Sequence, residues 1–265
     1  VTETALRDAV VGAGLLAGSA NVIMQLARAP VGYGVLESRV DSGNLFRHPA
    51  KRTRTTLTYL AVATLGTDAE RAAYRRAVNA AHAQVHSTGE SPVAYNAFDT
   101  DLQLWVAACL YKGFEDVYLA FVGGEPERFY REAASLGTTL QVRAEMWPAD
   151  REAFEEYWTA GLEKIGIDDT VRRYLTAIVD LRFLHPVLAA LGRRFHRFVT
   201  TGFLPQRFRD EMRLPWTGAD QRRFDALLGA IGRVVRVLPA PVRRFPFNLC
   251  LWDLRRRLRT GRPLV

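Results

Sequence analysis

Nowhere in this 265-residue chain does the strict alternation of apolar and polar residues that half-buried strands require persist over a sustained run. Apolar residues return instead at three- and four-residue spacing, in segments that open and close on proline, glycine or a short polar side chain. That punctuation belongs to helices. Proline suits a first turn, Asp and Thr side chains accept hydrogen bonds from the free N-terminal amides, and glycine stops the run. The pattern predicts helices at 4–28, 50–65, 68–87, 99–122, 126–137, 148–164, 168–180, 186–201, 205–212, 218–237 and 241–258. Thr67 or Asp68, and Asp99 or Thr100, are the expected N-caps of two of them. Glycines at alternate positions in Val31-Gly32-Tyr33-Gly34-Val35 predict a loop, and Pro30 is expected to end the first helix. With 48% hydrophobic residues the chain can bury a substantial core. No repeat or low-complexity linker divides it, so we expect an all-α protein: residues 1–265 as a single globular multi-helix domain of about ten helices.

The formal net charge is +8, and of 36 basic residues only Lys51, Lys112 and Lys164 are lysines. A basic surface can attract nucleic acid, anionic lipid or acidic substrates. The chain shows no zinc-finger spacing, aromatic RNA-binding signature or DNA-reading helix pair, so no nucleic-acid partner is expected. Cys109 and Cys250 lie in apolar surroundings without a C-x-x-C partner, which suits a reducing compartment. The apolar run from Val10 to Ile23 is broken by glycine, Ser19 and Asn21 and is short for a membrane span. A cytoplasmic protein without a transmembrane segment is the resulting expectation. The Arg255-Arg256-Arg257-Leu258-Arg259 run could touch an anionic membrane peripherally or form the solvated end of a last helix. Gly12-Ala13-Gly14 does not follow a strand, and nucleophile-elbow and phosphate-loop motifs are absent.

The chemistry concentrates between Lys51 and Trp105. On the helix at 50–65, Thr55, Tyr59 and Val62 share one face, so a hydroxyl-rich line stands where aliphatic residues would be ordinary. On the helix at 68–87, Tyr74, Val78, His82 and Val85 form a stripe that carries His82 inward. An inward histidine opposite a basic, hydroxyl-bearing helix is either a satisfied core residue or the ligand of a cofactor. His86, one turn on, is its rival, and the two together could hold a non-haem metal. The zincin arrangement needs glutamate where Ala83 stands, and the Glu-x-x-His pair of a di-iron bundle is missing. Trp105 reads first as core packing and second as a pocket wall. His48, His185 and His196 carry no ligand pattern.

The order Lys51-x-x-Arg54-Thr55, Tyr59, His82-Ala83-x-Val85, Tyr95-x-Ala97-x-Asp99 and Leu102-x-x-Trp105-Val106 resembles the DUF2236 family, that of the rubber oxygenases (latex clearing proteins) and fungal MpaB-type oxygenases. Gln25, Pro30-Val31 and Gly34-Val35 extend the likeness towards the N-terminus. Thr201-Gly202-Phe203-Leu204-Pro205, Leu214-Pro215-Trp216 and Leu238-Pro239 extend it through the second half, so it covers nearly the whole chain. The resemblance implies a globin-like helical core and haem b, with His82 as the iron ligand. The family's R-x-x-K-T motif falls on Lys51, Arg54 and Thr55. Arginine is a poor iron ligand where the family has lysine, which implies an open or water-filled distal side. Arg54 and Thr55 would then donate hydrogen bonds to dioxygen or peroxide, Lys51 and Arg52 would pair with haem propionates, and Tyr59 and Trp105 would wall the cofactor. The implied activity is oxidation of a hydrophobic or small organic substrate, rubber itself not being expected of a protein without an export signal. The competing possibility is a non-enzymatic haem-binding or interaction protein that keeps the fold. Relatives often carry a histidine two residues after the tryptophan; this chain has Ala107.

Overall fold

The computed structural model describes residues 6–265, and residues 4 and 5 of the first expected helix lie outside it. The described residues are all-α, the sole extended pairing being one antiparallel bridge between His86 and Asn96. The expected helix at 4–28 is in fact three pieces: α1 (Leu6–Ala9), a 3₁₀ turn (Gly12–Ala17) and α2 (Gly18–Leu26). Its glycines allow close approach: a Cβ on Gly12 would lie 1.9 Å from the carbonyl oxygen of Phe245.

The loop expected at 31–35 is helical. Helix α3 (Ala29–Leu36) has Pro30 in its first turn, so this proline opens a helix and does not end the preceding one, which stops at Leu26. Its glycines serve packing. A Cβ on Gly32 would stand 2.8 Å from the Leu26 carbonyl oxygen and 3.3 Å from Val171, and Gly34 lies against the Tyr95 ring. Tertiary contact outweighs the low helix propensity of glycine here.

Helices α4 (Pro49–Leu65) and α5 (Asp68–His82) meet at Gly66-Thr67. Thr67 caps α5, its Oγ1 accepting from the Glu70 amide at 3.2 Å while the Glu70 carboxylate accepts from the Thr67 amide at 2.8 Å. Asp99 caps α6 (Thr100–Phe121), accepting from the Asp101 and Leu102 amides. Helix α6 is the central rod, with Trp105, Cys109, Tyr111 and Phe121 fully enclosed. Around Tyr111 an aromatic cluster gathers Phe129 and Tyr130 of α7 (Glu127–Ala133), Trp147 and Phe154, with ring centroids 4.7–5.9 Å away. The expected helix at 126–137 divides into α7 and α8 (Ser135–Thr138).

The rest of the chain follows the predicted segments closely: α9 (Arg151–Leu162), α10 (Asp169–Val179), α11 (Pro186–Phe203), α12 (Gln206–Met212) and α13 (Gly218–Val237). The last expected helix is interrupted. Pro246 cannot donate a helical hydrogen bond, and the segment splits into α14 (Ala240–Arg243) and α15 (Phe247–Thr260). Helix α15 packs along α4, and its Arg255 grips Glu70 of α5 through two contacts of 2.7 and 3.4 Å. No described helix is long and apolar enough to cross a membrane.

Candidate functional site

Helix α5 ends on His82, earlier than the sequence pattern suggests. Beyond it the chain pairs with residues 95–97, the Ser87 amide donating to the Tyr95 carbonyl at 2.8 Å and the Ala97 amide to the Val85 carbonyl at 2.9 Å. His86 therefore leaves the helix, is exposed, and does not share a helical face with His82. Among the described residues no group of three or more His, Cys, Asp or Glu side chains is placed to hold a metal ion.

The last turn of α5 is held by amides. Gln141 Nε2 donates to Asn79 Oδ1 at 2.6 Å, and Gln103 Nε2 donates to Gln141 Oε1 and to the Ala97 carbonyl, both at 2.7 Å. The Gln141 main-chain amide closes the network on Gln103 Oε1 at 2.9 Å. One turn earlier, the Arg75 guanidinium donates to the carbonyls of Thr138 and Thr139. This region fixes where His82 can be.

His82 itself is half-buried, and its Nδ1 is buried with no hydrogen-bond partner. Its ring meets Phe98 edge-on, centroids 6.4 Å apart. Burial first, and the positive charge of Arg52 second, push its pKa below the usual histidine value, so the imidazole is neutral at pH 7. A neutral ring with a free lone pair is the form that binds metal.

Arg52 is the cation beside His82. Crowding by protein pushes its pKa down as well, although the residue as a whole is exposed at the surface. It remains charged, since a guanidinium does not deprotonate near neutrality. Tyr74 and Tyr174 stand near enough to act on it electrostatically, and Tyr174 is paired edge-on with Phe46 at 5.4 Å.

Arg52, Thr55 and Tyr59 lie at i, i+3 and i+7 on one face of α4, which α5 covers through Tyr74. Thr55 Oγ1 donates to the Arg52 carbonyl at 3.0 Å, the Tyr74 hydroxyl donates to the Thr55 carbonyl at 2.7 Å, and the Tyr59 hydroxyl donates to the Leu136 carbonyl. Arg54 is about 200° further round the helix from Arg52. Its guanidinium is 3.5 Å from the Asp253 carboxylate of α15, which also accepts from Arg257 at 2.6 Å. Lys51 is partly exposed in the first turn. Trp105 is wholly enclosed, stacked on Trp158 at 5.2 Å with Arg28 above its ring at 4.3 Å and Nε1 donating to the Gln25 carbonyl, so it forms core between α2 and the Trp158 helix and touches no open space.

The structure thus brings His82, Arg52, Thr55 and Tyr59 into one region, and places Arg54 and Trp105 elsewhere. Tyr174, Phe46 and the Gln103–Gln141–Asn79 network were missed from the sequence. Nothing local marks Tyr174, which arrives from α10; Phe98 stood inside the Tyr95–Asp99 motif without a role. Burial pushes the Cys109 thiol well above its ordinary pKa and the Cys250 thiol up too, so neither is a poised nucleophile.

Residues 9–233 match the family described as ER-bound oxygenase mpaB/B'/rubber oxygenase, catalytic domain. The chain belongs to this family. It is also 51% identical over 255 residues to uncharacterized protein Mb2261 of Mycobacterium bovis and, equally, to uncharacterized protein Rv2237 of Mycobacterium tuberculosis. Each match spans 95% of this chain and the whole of the relative. No solved structure matches. The family is one of oxygenase catalytic domains.

Proposed function

We propose that this protein is a haem b-dependent oxygenase that oxidises a hydrophobic or small organic substrate with dioxygen or peroxide, its iron held by His82. The observation that carries this reading is the His82 ring: half-buried, neutral, and with a buried Nδ1 lacking any partner in the protein. An unsatisfied buried nitrogen is costly, and a ligand outside the polypeptide would recover that cost. Family membership supplies the reaction class.

The residues present fit such a group. His82 would bind the iron, Lys51 would meet a propionate, and Tyr59 would line the cofactor. Haem, when bound, supplies the redox iron at which dioxygen or peroxide is activated. Arg52 keeps its charge and can donate hydrogen bonds to an oxygen atom gaining negative charge. Thr55, on the same face, supports that role, which the sequence motif gives to Arg54; Arg54 instead holds α15 through Asp253. Phe46 and Phe98 offer apolar surface next to these groups, in keeping with a hydrophobic substrate.

The test is turnover of haem-loaded protein against a panel of terpenoid, fatty-acid and aromatic substrates under isotopically labelled dioxygen or with peroxide. Label appearing in product, with Arg52→Gln slowed by about a hundredfold and Arg54→Gln little changed, is the expected result. Haem-loaded protein that incorporates no oxygen into any of them, or an Arg54→Gln loss exceeding that of Arg52→Gln, would overturn the assignment of roles.

A further inference from the structure

We propose that the surface formed by α11, the 3₁₀ turn at Gly12–Ala17 and the α13–α15 corner docks on an anionic lipid bilayer. This inference does not rest on haem binding. The first turns of α11 project their apolar residues outward: Val187 and Leu188 are exposed, and Leu191 is 78% exposed. Helix α13 ends in the same way, with Val234 exposed and Val237 80% exposed, and Phe245 and Trp252 follow on the far side of the corner. Isolated exposed aliphatics are ordinary on a protein surface; a grouped set is not.

The two groups are joined by the 3₁₀ turn. Gly12 abuts the Phe245 carbonyl, Leu15 is half-exposed, and Ser19 Oγ is 3.0 Å from His196 Nε2 on α11. Ser19 is seven positions on from Gly12, which spans at most about 14 Å at a 3₁₀ rise. Phe203 near the end of α11 meets Phe224 near the start of α13 at 5.0 Å, so the start of α11 and the end of α13 bring both apolar groups to the same end of the molecule.

The charge on that face decides its occupant. Helix α11 contains no acidic residue, and neither does the stretch from Ala226 to Trp252. Arg193, Arg194, Arg233 and Arg236 are exposed, and Arg256 lies over the Trp252 ring at 5.8 Å. A second copy of this chain, meeting the face across a two-fold axis, would set arginines against arginines. Nucleic acid would bring phosphates against Leu191 and Val237. An anionic bilayer satisfies both components, since lipid phosphates pair with guanidinium groups while aliphatic and tryptophan side chains enter the headgroup boundary.

Vesicle co-sedimentation with the full chain tests this. The protein should pellet with equimolar phosphatidylglycerol and phosphatidylcholine, stay in solution with phosphatidylcholine alone, and release at high salt. Leu191→Gln and Val237→Gln leave the charge unchanged and, being on exposed positions, should retain native circular dichroism; each should weaken vesicle binding by about tenfold. Arg233→Gln should weaken it by about fivefold. Wild-type protein that ignores the anionic vesicles, or Leu191→Gln and Val237→Gln that bind as tightly as wild type, would overturn the proposal. So would a wild-type dimer that Leu191→Gln dissociates.

Discussion

Truncating Gln141 to alanine would show how firmly the end of α5 is fixed. The substitution removes two side-chain hydrogen bonds, the one donated to Asn79 and the one accepted from Gln103, and spares the main-chain bond to Gln103 Oε1. Their costs differ. Asn79 is half-buried, so water can replace its lost donor, whereas Gln103 is 8% exposed and keeps only the Ala97 carbonyl for its amide hydrogens. An ordinary bond is worth about 1 kcal/mol and a buried unpaired donor about 1–3 kcal/mol, giving a loss of about 2–3 kcal/mol. For a chain of this size that lowers Tm by roughly 4–12 °C. Denaturant unfolding followed by circular dichroism should show the midpoint falling with an unchanged slope. Gln141→Met, which restores volume without hydrogen bonding, should lose nearly as much. Recovery of wild-type stability in the methionine variant would refute the reasoning, because packing and not the amide network would then be holding the turn. Amide exchange in the last turn of α5 should quicken in both variants, since Asn79 sits one turn before His82.

Three further outcomes follow from the same structure. His82 has a folded pKa below its unfolded value of 6.5, so between the two the unfolded chain binds more protons; its contribution to stability is present above 6.5 and is lost as pH falls through that window. Imidazole NMR should show the depressed titration, with Arg52→Gln moving it back upward; a His82 that titrates at 6.5 in wild type would contradict the burial described. Gly202→Ala would place a Cβ 2.4 Å from the Phe224 ring, which is locked edge-on against Phe203 at 5.0 Å, and overpacking should cost about 1–3 kcal/mol in denaturant unfolding. Glu115→Gln should cost about 3 kcal/mol by the same measurement, since the 3% exposed carboxylate lies 2.6 Å from Lys112 and 2.5 Å from Arg151 and its loss leaves two cations facing each other.

What the sequence disclosed, and what it hid, divides along physical lines. Helix class and most boundaries are local matters of periodicity and capping, and Thr67, Asp99 and Thr217 act as the caps their side chains suggest. Gly32 and Gly34 misled because glycine weakens a helix in isolation, while here Val171 and Tyr95 need the space beside a helical backbone. Pro246 was passed over inside an otherwise periodic segment. At the site, helical geometry alone separates Arg52 from Arg54, but which of them meets α15 depends on Asp253, some two hundred residues away in the chain. His82 was placed inward by its stripe. The amides that fix it, and Tyr174 beside Arg52, come from distant segments and leave no local mark.

The most direct measurement is the visible absorption spectrum of the protein produced with ample iron and haem precursor, beside His82→Ala and His86→Ala. The account predicts a Soret band in wild type and His86→Ala that is lost in His82→Ala. A colourless wild-type protein that does not take up added haem, or a Soret band that survives in His82→Ala, would contradict it.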